Sequence, residues 1–183
     1  MKRSILFAAG ALALACASQA AVAGPTLDAV KKKGFVQCGL TDGVSGFSAT
    51  NSKGEWEGMD VDICRAVAAA VFGDSTKFKG TALSTQQRFT ALQSGEVDVL
   101  LRTVTLTQTR DTSLGLSAVA ASFYDGQGIL VNKKLGVKSA KELNGATVCV
   151  QPGTTTELNL ADWFRANKIE FKPVVIDLSL IHI

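Results

Sequence analysis

The stretch from Ser94 to Asp111 reads S-G-E-V-D-V-L-L-R-T-V-T-L-T-Q-T-R-D, and it decides the fold. A turn leads into a short apolar strand at 97–101, and threonines then occupy every second position before Arg110. Because side chains alternate along an extended segment, four threonines are expected to share one face: Thr103, Thr105, Thr107 and Thr109. Hydroxyls and a planar guanidinium together match a carboxylate. The stretch therefore predicts a carboxylate clamp, and the alternative is a threonine-rich edge strand with a solvated arginine.

The residues before this stretch indicate an α/β fold. Residues 83–93 predict a helix with Phe89 and Leu92 on its apolar face and Ser84 or Thr85 as its cap. A helix, a glycine turn, a short strand and a hydroxyl-rich turn then follow in order. In open α/β sheets ligands bind beyond the carboxyl ends of the strands. Arg110 lies beyond such an end.

A second α/β unit begins near residue 139. A buried strand is predicted at 146–150, and the sequence Q-P-G-T-T-T-E at 151–157 then enters a helix that runs through Phe164. Thr154 and Thr155 would present hydroxyls and free amides to an anion at the start of that helix. Ordinary threonine capping is the alternative. Two such lobes facing across a cleft would hold one small carboxylate between them.

The region between the first strand and the first long helix offers further candidates. The loop at 41–48 is rich in glycine and small residues, so Phe47 is expected either to pack on a ligand or to enter the core. Asp60 and Asp62 lie at the start of a helix, where capping explains them better than a metal or acid–base pair. Apolar residues at helical spacing predict the buried face of this helix: Ile63, Val67, Ala70 and Val71.

Residues 1–23 predict a cleavable signal peptide, with Lys2 and Arg3, an apolar run and the small-residue pattern Ala21-Val22-Ala23. The whole chain has 19 basic and 16 acidic residues, and two of the basic residues lie in this segment. A balance of 17 to 16 in the remainder argues against nucleic acid or an anionic membrane surface as a partner.

Three cysteines follow the predicted signal peptide: Cys38, Cys64 and Cys149. Export implies an oxidising compartment, so a strand and its packed helix are expected to bring Cys38 and Cys64 into a disulfide. Two buried thiols are the alternative. With no C-x-x-C pair and a single histidine, His182, the sequence predicts neither a metal site nor a cofactor.

Several motifs resemble family 3 of the periplasmic solute-binding proteins of ABC transporters. These are G-M-D-V-D-I at 58–63, T-L-T-Q-T-R at 105–110 and Q-P-G-T-T at 151–155. Longer runs are similar to the general L-amino-acid-binding branch of that family: V-Q-C-G-L, L-S-T-Q-Q-R-F-T-A-L-Q-S-G-E-V-D-V-L, R-D-T-S-L-G-L, Y-D-G-Q-G and G-T-T-T-E-L-N-L-A-D-W-F. The resemblance covers residues 26–177.

This resemblance implies a two-lobed α/β fold of the type II periplasmic-binding-protein class. Lobe one would be nearly complete at 24–128 and lobe two partial at 129–177, with 126–131 as the first hinge strand and an unrelated tail at 178–183. The implied function is that of a periplasmic, monomeric receptor, without catalysis or cofactor, that binds free L-amino acids and delivers them to a membrane ABC permease.

The resemblance also implies roles for single residues. Arg110 would pair with the α-carboxylate of the ligand. Thr105 and Thr155 would add hydrogen bonds to the α-carboxylate or α-ammonium, and Thr103 would lie beside them.

The chain departs from the resembled pattern in two places. Where the branch is expected to read S-R-N-T, this chain reads Leu101-Arg102-Thr103-Val104, so one hydroxyl is lost at Val104. The resembled proteins also continue well past 177, and we expect a truncated second lobe that binds ligand weakly. An enzyme on the same fold, such as a dehydratase, is the main alternative and would need Asp42 or Asp125 in the cleft. A ligand-sensing domain of a receptor is another.

Overall fold

The computed structural model describes residues 24–176. The predicted signal peptide at 1–23 and the predicted tail at 178–183 lie outside the described residues. The described residues divide into two compact units, one that ends at Lys33 and one that begins at Gly34. The elements in chain order are α1 Pro25–Lys33, β1 Val36–Leu40, β2 Ala49–Thr50, β3 Trp56–Glu57, α2 Met59–Phe72, β4 Phe78–Ala82, α3 Arg88–Gln93, β5 Val99–Leu100, α4 Gln108–Thr112, two 3₁₀ turns at Lys133–Leu135 and Ala140–Glu142, β6 Ala146–Val150, α5 Thr155–Ala166 and β7 Phe171–Val175.

The second unit is built on a three-stranded parallel sheet with the order β4-β1-β5. Its register places Cys38 of β1 opposite Gly80 of β4 on one side and opposite Val99 of β5 on the other. Four of the five residues of β1 are buried, as expected for a central parallel strand. The three strands run in one direction, so their carboxyl ends meet at one edge of the sheet.

A disulfide joins β1 to α2. Cys38 and Cys64 are bonded with their Cα atoms 6.4 Å apart, and both are fully buried. The fully buried face of α2 consists of Val61, Cys64 and Ala68, together with Asp60.

The predicted buried face of α2 was wrong. Ile63, Val67 and Val71 are only half-buried, and Ala70 is exposed. The observed buried face is displaced from the predicted one by roughly 100°, which is the angle between consecutive residues of an α-helix. The disulfide accounts for this difference, because it directs Cys64 toward the sheet.

A second, two-stranded parallel sheet pairs β6 with β7 from Ala146↔Phe171 to Val150↔Val175. Helix α5 covers it, and the buried cluster consists of Leu143, Val150, Leu160 and Phe164. The Phe164 ring meets Phe171 edge to face, with centroids 4.8 Å apart. The strand predicted at 146–150 and the helix entered at Thr155 are confirmed.

The segment at 115–132 contains no helix or strand, so the strand predicted at 126–131 was wrong. A strand persists only when a neighbour completes its hydrogen bonds, and no residue within 24–176 pairs with this segment. Several of its apolar side chains are exposed, including Leu130 at 94% and Val119 at 90%. Gln127 nonetheless contacts α5, since its amide donates to the Thr156 carbonyl at 3.0 Å.

Among residues 24–176, no helix has both the length and the apolar character that crossing a bilayer requires.

Candidate ligand-binding site

The site lies beyond the carboxyl ends of the strands of the first sheet, where the chain leaves β1, β4 and β5. Arg102, two residues after β5, is only 8% exposed, and its Nη1 donates to the carbonyls of Leu83 and Ser84. These bonds connect the end of β5 to the end of β4. They satisfy carbonyls that the short strands leave without ladder partners.

The predicted ladder of four threonines is not present, because the chain turns into α4 at Gln108. Thr107 is the N-cap of this helix, and its hydroxyl accepts from the backbone N–H of Arg110 at 3.3 Å. Thr109 lies within the helix. Thr107 has an extended backbone just before α4, and a threonine at such a position favours N-capping. This preference outweighs the alternating pattern of an extended strand.

Arg110 is held at the start of α4 by its own segment. Its Nη1 donates to the Thr105 carbonyl at 2.7 Å, and its Cζ lies 5.0 Å from the centroid of the Phe89 ring. Partial burial lowers the pKa of this guanidinium from its usual value. Within residues 24–176 no carboxylate pairs with Arg110. The guanidinium therefore keeps donors free for an incoming anion.

Two predicted hydroxyls, from the segments that follow β5 and β6, meet at this point. Thr105 Oγ1 and Thr155 Oγ1 are 2.8 Å apart, although the residues are 50 positions apart in the sequence. Thr155 is the first residue of α5, so a helix N-terminus faces the end of the Arg110 segment. The structure thus brings Arg110, Thr105 and Thr155 together.

Thr154 has the capping role that the sequence left open as the alternative. Its hydroxyl accepts from the Glu157 N–H at 3.1 Å and donates to the Gln151 carbonyl at 2.8 Å. Glu157 in turn accepts from the Gly153 N–H at 3.0 Å. These bonds build the turn before α5 and occupy the Thr154 hydroxyl.

Phe47 is half-buried, and its ring meets Phe123 edge to face at 5.2 Å. Its backbone is anchored on α2, because the Phe47 carbonyl accepts from the Asp60 N–H at 2.9 Å. Gly58 allows this approach, since a Cβ there would lie 2.4 Å from the Phe47 oxygen. Thr103 is exposed at the far end of the site, and its carbonyl accepts from Arg88.

Arg88 is a site residue that sequence reasoning missed. It is 2% exposed, and its Cζ lies 4.6 Å from the Phe89 centroid. Its burial, with Arg102 and Arg110 nearby, lowers its pKa to about 10. The signal was its spacing three residues before Ala91, which puts both on the buried side of α3.

Asp60 is the second residue whose role differs from the prediction. The N-cap of α2 is Gly58, with no side-chain capping bond, so the capping interpretation of Asp60 was wrong. Asp60 is 3% exposed, and burial raises its pKa while the nearby Arg102 charge partly opposes that rise. Asp62 is exposed and pairs with Arg65 at 2.7 Å. Asp60 is thus the buried counter-charge to Arg102.

The electrostatic balance of the site favours an anion. Three guanidiniums, those of Arg88, Arg102 and Arg110, face one nearby carboxylate, that of Asp60. Placing unpaired cations out of water is costly, and an anion between them offsets that cost. In the part of the chain that the structure describes, no cluster of His, Cys, Asp or Glu could hold a metal ion.

The candidate site is cationic and lies beyond the carboxyl ends of a parallel sheet, opposite the N-terminus of a helix on a second sheet, which is the arrangement expected of the two-lobed α/β class. Residues 36–173 match the family of bacterial extracellular solute-binding proteins, family 3, and the chain belongs to that family. The predicted family membership and the predicted type II periplasmic-binding-protein fold are confirmed.

Known relatives agree with this assignment. The chain is 56% identical over 98% of its length to the putative amino-acid ABC transporter-binding protein YhdW of Escherichia coli K12, of which it covers 53%. It is 54% identical over 97% of its length to the general L-amino acid-binding periplasmic protein AapJ of Rhizobium johnstonii, of which it covers 52%.

A solved structure is similar as well. The periplasmic binding protein of an ABC transporter from Brucella ovis, with glutathione bound, matches 85% of this chain and 49% of its own at 59% identity and a TM-score of 0.81. The chain therefore spans about half the length of the relatives it matches.

Proposed function

We propose that the protein is a periplasmic receptor that binds free L-amino acids and delivers them to a membrane ABC permease. The observation that carries this proposal is the Arg110 guanidinium beside the Thr105 and Thr155 hydroxyls, which meet at 2.8 Å. The Brucella ovis, YhdW and AapJ relatives, by their names, are transport binding proteins, which supports the same conclusion.

In this proposal Arg110 pairs with the α-carboxylate through its free donors, because a guanidinium matches a carboxylate in a bidentate manner. Thr105 and Thr155 exchange their mutual hydrogen bond for bonds to the same ligand group. Thr103 and Phe47 line the outer part of the site. Thr154 contributes through the cap of α5, which holds Thr155 in position. Ligand contacts from both sheets then favour the closed arrangement, in which the Arg110 segment lies against the start of α5.

An enzyme on this fold is the weaker candidate. It would need an acid or base at the ligand, and the sequence offered Asp42 and Asp125 for that role. The Asp42 carboxylate instead bonds to Thr50 of β2, since it accepts from the backbone N–H at 3.0 Å and from the hydroxyl at 3.2 Å. Asp125 is exposed on the segment that lacks secondary structure.

A second ligand class is favoured by one observation, the glutathione bound to the Brucella ovis relative. Glutathione carries a free α-carboxylate and α-ammonium at its γ-glutamyl end, so the same clamp would hold that end. The rest of the peptide would extend toward the outer part of the site.

The test is a calorimetric titration of L-amino acids, with reduced glutathione in the panel, into the complete gene product. We expect binding that weakens at least about 30-fold in Arg110→Ala, because the ligand carboxylate would then be buried without its partner. Arg165→Ala is the matched control, since Arg165 makes only an exposed pair with Asp162 at 2.8 Å. A folded protein that binds no member of the panel would contradict the proposal.

A further inference from the structure

The Arg88 guanidinium hydrogen-bonds to both halves of the candidate site. Its Nη1 donates to the Thr103 carbonyl at 3.4 Å, on the segment that follows β5. Its Nη2 donates to the Gly153 carbonyl at 3.1 Å, in the turn that precedes α5. Because the guanidinium is a rigid plane, these two bonds fix the two carbonyls relative to each other.

Arg88 differs from the clamp residue Arg110 in its exposure. Arg88 is 2% exposed and lies against the Phe89 ring, whereas Arg110 is half-exposed. Within residues 24–176 no carboxylate pairs with Arg88. Its charge is accommodated by backbone carbonyls and an aromatic face, which are the partners of a structural cation.

The cross-sheet contact does not depend on a ligand. Within residues 24–176, two contacts join the Arg110 side of the site to the start of α5. One is the Arg88 bond to the Gly153 carbonyl, and the other is the contact between the Thr105 and Thr155 hydroxyls. A ligand would replace the threonine contact but leave the Arg88 bonds in place. The Arg88 bonds would therefore hold the two sheets together both before and after ligand binding.

We propose that Arg88 is a positioning residue that sets the fraction of ligand-free molecules in the closed arrangement. This inference rests on the proposed function. The apparent dissociation constant equals the intrinsic constant divided by the fraction of molecules competent to bind. A residue that raises this fraction tightens binding without touching the ligand.

The test measures the distance between the second sheet and the β2–β3 hairpin by pulsed electron paramagnetic resonance on the complete gene product. The hairpin reports on the first sheet, because its Trp56 side chain packs against Gly80 of β4. One spin label is attached to the exposed thiol of Cys149 on β6, and the other to an introduced Lys53→Cys in the β2–β3 turn. In Arg88→Met we expect a longer and broader distance distribution without ligand, and the wild-type distance at saturating L-amino acid. The apparent affinity should fall roughly tenfold, as for the loss of one charged hydrogen bond.

Two variants separate this role from the alternatives. Arg102 is also buried, but its bonds to Leu83 and Ser84 stay beside the first sheet. Arg102→Met should therefore lower stability and leave the ligand-free distance unchanged. Arg110→Met should abolish tight binding and also leave the ligand-free distance unchanged.

An unchanged ligand-free distance in folded Arg88→Met would overturn the inference. If that variant does not fold, Arg88→Lys keeps the charge but reaches one carbonyl at a time, and a wild-type distance there would overturn it equally. The readout without ligand separates the two proposals. Opening in Arg88→Met with no amino-acid binding in the wild type would reject the proposed function alone.

Discussion

Asp60 is buried within the electrostatic influence of Arg102, and its protonation should be visible in the stability of the protein. Burial raises the pKa of Asp60 above 3.8, so the folded protein holds this proton more tightly than the unfolded chain does. Between pH 3.8 and the raised pKa of the folded state, folding therefore takes up a proton. The free energy of unfolding falls as the pH rises through this interval.

We therefore expect the free energy of unfolding of the wild type, relative to Asp60→Asn, to decline as the pH rises from below 3.8. The decline has a limit of about 1.4 kcal/mol per pH unit for one group. Urea unfolding from pH 3.5 to 7 measures it, with Asp62→Asn as the exposed control on the same helix. Parallel profiles for the wild type and Asp60→Asn would contradict the expectation.

At this scale the structure brings three of the six predicted ligand-binding residues together and adds two charged residues that were not predicted. Arg110, Thr105 and Thr155 were predicted, and they lie together. Arg88 and Asp60 were missed, because each has local features typical of a solvated helix residue or a cap. The spacing of Arg88 before Ala91 indicates the buried side of α3, but the groups that the two charges interact with lie far along the chain, at Gly153 and Arg102, and local spacing does not report them.

Among the elements, the disulfide between β1 and α2 is the strongest local constraint. It closes a loop of 26 residues, and in the chain-entropy account such a link contributes about 3.5 kcal/mol to the free energy of unfolding. We expect the double variant Cys38→Ser, Cys64→Ser to lose about that amount, measured by denaturant unfolding.

Cys149→Ser is the control, because that thiol is free and exposed. Its unfolding midpoint should match that of the wild type. A reducing agent should lower the midpoint of the wild type and leave that of the double variant unchanged. Equal midpoints for the double variant and the oxidised wild type would contradict the prediction.

The cap of α5 gives a prediction that separates capping from ligand binding at Thr154. Because its hydroxyl accepts from the Glu157 N–H, Thr154→Ala should lower the free energy of unfolding by about 1 kcal/mol. Amino-acid affinity should change by less than it does in Thr155→Val. Thr156→Ala, two residues further along and exposed, is the control. A larger affinity loss for Thr154→Ala would instead make that hydroxyl a direct ligand contact.

Elements whose partners lie nearby in the sequence were predicted well, such as β6 with its helix α5. The strand predicted at 97–101 is also present, shortened to Val99–Leu100, although its partner β1 is distant in the sequence. The apolar run at 126–131 has the composition of a strand, but no described residue completes its hydrogen bonds. The threonine pattern after β5 likewise suits a strand, and the cap at Thr107 begins a helix there.

On the scale of the whole molecule, exposed apolar surface is concentrated in 115–132 and on β7. Tyr124 is 88% and Val175 56% exposed, and the second sheet has only two strands. Such surface and unpaired edges favour association. We expect residues 24–176 expressed alone to aggregate and to bind L-amino acids more weakly than the complete gene product, as measured by light scattering and calorimetry. Stoichiometric binding by a monodisperse fragment would contradict this.

In the proposed receptor, the loop at 41–48 would allow ligand preference to change while the fold is kept. Its position is fixed by backbone atoms, since the Gly46 and Phe47 carbonyls accept from the Met59 and Asp60 amides, and by the buried Ser48 hydroxyl. The exposed side chain of Ser45 takes no part in that attachment. New side chains at the tip of this loop can therefore be selected for a different ligand while the scaffold beneath it keeps its shape.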